Sequence, residues 1–284
     1  MCISVVTPSF RSSEWLKLCI ASVADQQVDV EHIVQDSCSN DGTQDWLPHD
    51  KRVKAFIEKD SGMYDAVNRG LRKTTGDILA YLNCDEQYLP GALQSVIEYF
   101  KSHPDVDVAF GDCVITDETG AYMCSRLMQI PTETYIKVKD LPTLSCATFF
   151  RRSVIERGFF FDPKWRDIGD ADWVVRLLQA KVPMGLLHQF TSVFTDMDAN
   201  MSLAPNAQQE KQRLRQDAPA LAQRFAPAIV VHHRLRRLLG GVYFQKPFDY
   251  SIYSKTSPQA RVTHRVPKPT AIWKTRVFAT DAKN

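Results

Sequence analysis

Short runs of β-branched and aliphatic residues alternate with stretches of helical periodicity through the first hundred positions. Residues 3–7, 30–35, 53–57 and 77–82 read as strands; residues 13–25, with Leu16, Ile20 and Val23 at helical spacing, and residues 63–74 read as helices. A further helix is predicted over residues 91–102. The order β-α-β-β-α-β is the one a parallel sheet with crossover helices requires, which predicts an α/β fold. Beyond residue 105 the pattern shifts to strand-like pieces at 106–113 and 144–151, with a turn at Asp117-Glu118-Thr119-Gly120. A helix over 170–180, with Val174, Leu177 and Leu178 facing a core, and a last strand over 184–195 complete this half.

In an open sheet of this kind, ligands sit beyond the carboxyl ends of the strands. The residues at those ends are Thr7-Pro8-Ser9-Phe10, Asp36, Asp60-Ser61-Gly62 and Asn83-Cys84-Asp85-Glu86. Polar groups stand at every one. The plainer alternatives are a polar turn for residues 83–86 and an N-cap for Asp170, which opens an apolar helix.

The 284 residues have room for one large α/β domain and an appendage. A hydrophobic share of 44% and a charged share of 24% exclude disorder and fibrous architectures. No run approaches the roughly 20 apolar residues of a membrane span, and residues 1–6 lack a basic leader, so a cytoplasmic protein is expected. The seven cysteines are scattered and never spaced C-x-x-C, which predicts free thiols rather than a disulfide framework or a zinc site.

Charge is unevenly distributed along the chain. Residues 1–204 carry 20 basic and 29 acidic residues, whereas residues 205–284 carry 15 and 4. A domain over 1–204 and a basic, partly helical appendage over 205–284 are therefore expected. In the appendage Val231, Leu235, Leu238 and Val242 fall on one face, with Arg234, Arg236 and Arg237 largely off it, a face suited to lipid or to the domain itself. His232-His233 reads as basic surface. An anionic membrane surface is the favoured partner of this charge, peripheral on the inner face of the cell membrane, and nucleic acid the less favoured one.

The first strand is followed by Pro8-Ser9-Phe10-Arg11 rather than G-x-G-x-x-G, and G-x-x-x-x-G-K-[ST] is absent, which excludes a nicotinamide enzyme and a P-loop nucleotidase. The glycine-rich loop of a sugar nucleotidyltransferase is missing too. In contrast, DSGMYDAVNRGLRKTTGDILAYLNCDE (60–86) closely resembles the central block of family 2 glycosyltransferases. TPSF (7–10), QDSCSNDGT (35–43) and TFFRRSVIERGFFFDP (148–163) are similar to that family's other segments, in the right order, so the resemblance spans most of residues 3–202.

That resemblance implies a GT-A type open sheet with flanking helices that binds a nucleotide-sugar donor. It places Thr7, Pro8, Ser9, Asp36, Asp60, Asn68, Asn83 and Asp85 at the donor, with Asp36 on the base. Asp85 and Glu86 become candidate ligands of Mn2+ or Mg2+, which hard carboxylate oxygens suit. Asn83 stands where the family's D-x-D variant has its first acid. Asp170, in Gly169-Asp170-Ala171-Asp172-Trp173, matches the family's base, and Asp172 is expected to pair with Arg176 four residues on. A single base implies direct displacement with inversion at the anomeric carbon, onto a saccharide or lipid-linked saccharide acceptor of the cell-surface polysaccharide type. The competing class is a catalytically silent scaffold subunit at the membrane, for which Asn83 is the best support.

Overall fold

A computed structural model of the chain describes residues 1–197 and 205–273. Strands β1 (Ile3–Ser9), β2 (Val30–Asp36), β3 (Lys54–Ile57) and β4 (Ile78–Tyr81) run parallel in the order β3-β2-β1-β4, connected through α1 (Ser13–Ala24), the single turn α2 (Thr43–Trp46) and α3 (Met63–Lys73). All seven residues of β1 and all four of β4 are buried, as expected of strands covered on both faces. Register aligns the strand ends: Ser9 lies opposite Asp36, and Asp36 opposite Ile57. The polar residues that follow these strands therefore emerge along one edge of the sheet.

The sheet continues with β5 (Gln87–Tyr88), α4 (Ala92–Ser102), β6 (Val108–Thr116), β7 (Tyr122–Arg126), α5 (Glu133–Val138), β8 (Thr148–Arg151), α6 (Arg152–Glu156), α7 (Gly169–Gln179) and β9 (Met184–Thr195). β8 enters antiparallel between β4 and β6, β9 lies parallel to β6, and β5 pairs antiparallel with β9. The strand expected over 144–151 begins only at Thr148, because Ser145–Ala147 turn as a 3-10 helix.

An aromatic column joins the core to the edge of the sheet where those polar strand ends emerge. Phe150 packs on Trp173 at 5.1 Å between ring centroids, Trp173 stacks on Phe161 at 5.0 Å, and Phe161 stacks on Tyr64 at 5.5 Å. Phe149, Phe150 and Phe161 are thus core, and Phe159 and Phe160 are partly buried against it.

Helices α8 (Pro205–Gln216), α9 (Ala220–Arg224) and α10 (Ala226–Leu239) follow, then a hairpin of β10 (Phe248–Ser254) and β11 (Ser257–Val266). Leu214 of α8 belongs to the main core. The hairpin buries Tyr250, Ile252 and Val266 against Leu89, Val114 and Val193, and its Arg261 makes a two-pronged ion pair with Asp25 at 2.6 and 2.7 Å. The basic region is therefore helical only as far as Leu239. His233 is not surface, as expected above, but is buried with its ring stacked 3.8 Å from that of Tyr135.

Candidate functional site

The carboxyl ends of β1 and β4 open into a cavity of about 1060 Å³. Pro8, Ser9, Asn83 and Asp85 come from those two strand ends, Asp60 to Tyr64 from the β3–α3 connection, and Asp170 from the first turn of α7. Residues 139–141 and 143–145, Lys211 of α8, and Trp273 also line the cavity. Gly62 in this wall has φ +142°, a backbone conformation that a residue with a Cβ rarely adopts.

Asp36 is not brought to the cavity surface. It is 0% exposed, and both carboxylate oxygens are occupied: Oδ1 accepts from the hydroxyls of Ser9 (2.9 Å) and Ser39 (2.7 Å), Oδ2 from the Ser39 amide (2.8 Å). Its neighbours Ser9 and Ser37 line the cavity in its place. The same loop carries Asp41, which accepts from the Ser13 amide at the start of α1 at 2.9 Å. The Thr7 hydroxyl turns into the core toward His32 Nε2 at 2.9 Å. Asn68 is also interior, its amide donating to the Phe161 carbonyl at 2.7 Å and its oxygen accepting from the Phe161 amide at 3.0 Å. It clamps α3 to the chain that leads into α7.

In Asn83-Cys84-Asp85-Glu86 the side chains divide. Asn83 and Asp85 line the cavity, whereas Glu86 is fully buried, accepting from the Asn83 amide at 2.7 Å through Oε2 and leaving Oε1 without a partner. Burial pushes both carboxyls upward, and the charge of Asp85 adds to the effect on Glu86. Among the described residues no group of three or more His, Cys, Asp or Glu forms a metal cluster. What the chain does offer is the Asp85 carboxylate and the buried Asn83 Oδ1, which has no hydrogen-bond partner. One carboxylate and one amide oxygen are the donor types that suit a hard divalent cation.

Asp170 occupies the second residue of α7, with Ile168 at the N-cap position, so it is not the N-cap. Its Oδ1 accepts from the Ala171 amide at 2.8 Å and from the Tyr64 hydroxyl at 3.3 Å, while the Asp170 amide donates to the Tyr64 oxygen at 3.1 Å. Tyr64 reaches the helix because Gly169 precedes Asp170: a Cβ there would lie 2.7 Å from the phenol ring. Burial raises the Asp170 pKa, with the Ala171 amide, Tyr64 and the charge of Lys211 acting in the opposite direction. Asp172 pairs with Arg176 at 2.8 Å, as the spacing predicts.

Three contributors are not found by sequence reasoning. Tyr64 lies inside the GMYDAVN run but has no visible partner until α7 is folded over it. Buried Glu210 of α8 accepts from the backbone amides of Arg166, Asp167 and Ile168 at 2.8, 3.0 and 3.2 Å, satisfying donors ahead of α7. Trp273 is held in the cavity wall by its indole N–H to Asp196 at 2.9 Å and by its edge contact with Phe194.

The model of glycosyl transferase family 2 matches residues 4–159. The chain belongs to that family. A curated relative, an uncharacterized glycosyltransferase of Nostoc sp., is 28% identical over 182 residues, 58% of this chain and 56% of its own length. The GalNAc(5)-diNAcBac-PP-undecaprenol beta-1,3-glucosyltransferase of Campylobacter jejuni is 31% identical over 123 residues, 41% of this chain and 39% of its own. The chain thus spans little more than half the length of the first relative and less of the second.

Among solved structures, S. aureus TarS 1–349 in complex with UDP-GlcNAc superposes with a TM-score of 0.58 at 18% identity, over 76% of this chain and 65% of that one. The mannosyltransferase PcManGT of Pyrobaculum calidifontis, in complex with GDP-Man and Mn2+, gives 0.53 at 17% identity over 80% and 64%. The family 2 chain has the GT-A fold that these neighbours share.

Proposed function

We propose that this family 2 chain transfers a sugar from a nucleoside-diphosphate donor to a hydroxyl group of a saccharide acceptor, lipid-linked or destined for the cell surface. The observation that carries the reading is that Asp85, at the end of β4, and Asp170, at the start of α7, line one cavity. The relative from Campylobacter, named for an undecaprenol-linked substrate, supports the acceptor class, and the neighbours holding UDP-GlcNAc and GDP-Man support the donor class.

In this reading Ser9, Ser37 and Asp60 meet the nucleoside, and Asp36 positions Ser9 and the 37–41 loop beneath it. Asp85 and Asn83 would hold Mn2+ or Mg2+, and Glu86 fixes the turn from below through the Asn83 amide. The cation, when bound, supplies positive charge to the departing diphosphate. Asp170 accepts the acceptor hydroxyl's proton as its oxygen bonds to the anomeric carbon and the bond from that carbon to the diphosphate breaks on the opposite face, giving inversion. Tyr64 keeps the Asp170 carboxylate oriented.

A panel of UDP, GDP and dTDP sugars, each with and without Mn2+ or Mg2+, tests this by release of nucleoside diphosphate. One donor should turn over in a metal-dependent way. A silent scaffold would release none under any condition.

A further inference from the structure

Helix α10 is turned with its apolar face outward. Val231, Leu235 and Leu238 recur at i, i+4 and i+7 on one face and are all exposed. Leu239 beside them is 87% exposed, and Phe225 and Phe244 at the two ends of the helix are 55% and 74% exposed. Toward the protein the helix presents Ala226 and Ile229, which pack with Val138 of α5, and a set of polar residues. His233 stacks on Tyr135 of α5, the Arg236 guanidinium donates to the Ile130 carbonyl at 3.1 Å, Gln129 donates to the Arg236 carbonyl at 2.8 Å, and Arg237 reaches the Ala271 carbonyl at 3.4 Å. These contacts fix the rotation of the helix, so the apolar face cannot roll inward without breaking them.

Charge identifies the occupant. Residues 218–248 contain Arg224, Arg234, Arg236, Arg237 and Lys246 and no Asp or Glu. Arg224, Arg234 and Lys246 are exposed around the apolar residues. An apolar stripe bordered by cations, with aromatic residues at its ends, matches a surface of hydrocarbon beneath anionic headgroups. A second copy of the chain docked on the same patch would set the exposed Arg224, Arg234 and Lys246 against their counterparts, and residues 218–248 offer no acid to offset them.

We propose that α10, with Phe225 and Phe244, docks this protein on an anionic lipid bilayer, the apolar face entering the interface and Arg224, Arg234 and Lys246 meeting headgroups. Helix α10 packs on α5, which contributes Ile136 to the catalytic cavity, and Arg237 bonds two residues ahead of Trp273. The bilayer then runs beside the α5 side of the cavity. The docking itself needs no glycosyl transfer, so its test is independent of the proposed activity.

The test is co-sedimentation of the full chain with vesicles of phosphatidylcholine alone or mixed with phosphatidylglycerol, without sugar nucleotide. The protein is expected to bind the mixed vesicles and to be released by salt. Leu235→Glu with Leu239→Glu should weaken binding at least about tenfold. Neutralising Arg224, Arg234 and Lys246 to Gln should weaken it by about fivefold each. Phe225→Glu with Phe244→Glu, outside the helix interior, provides a second pair should the first fail to fold. Absence of binding to mixed vesicles, or binding unchanged in a folded Glu variant, overturns the proposal. A solution dimer that the same substitutions dissolve, without vesicle binding, assigns the patch to a second copy instead.

Discussion

The Tyr64 hydroxyl meets Asp170 twice, accepting a hydrogen bond from its amide at 3.1 Å and donating one to its carboxylate at 3.3 Å. A residue of α3 thereby sets both the start of α7 and the orientation of the proposed base, across 106 positions of sequence. Because the hydroxyl donates to the carboxylate, it favours the charged form against the burial that raises its pKa.

Replacing Tyr64 by Phe removes that donor while keeping the ring stacked on Phe161. The Asp170 pKa should rise further, and the acidic limb of the kcat profile should move to higher pH. A profile with an unshifted acidic limb would show that Tyr64 does not tune the base.

Asp170 also burdens the fold. Its folded pKa lies above the unfolded value of roughly 3.9, so the folded state holds the extra proton between the two values, and the stability contributed at low pH is lost as pH rises through that window. Asp170→Asn should therefore melt at or above the wild-type temperature at pH 7. Thermal melts at pH 7 and at about pH 3.5, below the unfolded value, check the sign: the gain should be confined to the higher pH.

Asp85 is the one carboxylate at the end of β4 that reaches the cavity, since Glu86 is turned inward. Asp85→Asn should abolish the Mn2+-dependent part of the thermal shift given by the cognate donor. In the wild-type protein a proton competes with the cation for a carboxyl whose pKa is raised by burial, so metal affinity should fall as pH is lowered. Calorimetric titration with Mn2+ in the presence of the nucleoside diphosphate measures both.

Glu210→Ala leaves the part-buried amides of Arg166 and Asp167 and the buried amide of Ile168 without their acceptor. The expected loss is about 1–3 kcal/mol of stability. Because the same segment carries the chain into α7, transfer should fall as well. Glu210→Gln, which keeps one acceptor oxygen, should recover part of both, as read by denaturant melts and by turnover.

The parallel half of the sheet is legible in the sequence because β1 to β4 are short, apolar and separated by amphipathic helices, and their polar ends declare the functional edge. Which side chain at each end faces the ligand is not legible. Asp85 and Glu86 are adjacent acids, yet one opens on the cavity and the other is sealed beneath it. Asp36 and Asn68 stand in the matching motifs, but their partners, Ser9 and Phe161, are reached only through strand register and helix packing. Glu210 and Trp273 enter the site from a region that reads only as a basic appendage, because nothing in local pattern reports a contact with α7 or with Phe194. The hairpin of β10 and β11 escapes notice for a related reason: much of β11 is exposed, so its apolar signal is weak.

Asp170 is proposed to remove the acceptor proton in a cavity that already holds the donor. The direct test is a single-turnover assay of Asp170→Asn with saturating donor, metal and acceptor, paired with the donor's thermal shift on the same protein. Transfer should fall by about 10²- to 10⁴-fold while the shift persists. Transfer at the wild-type rate with the shift intact would rule out Asp170 as the base and move that role elsewhere, Asp172 being the next carboxylate along the helix.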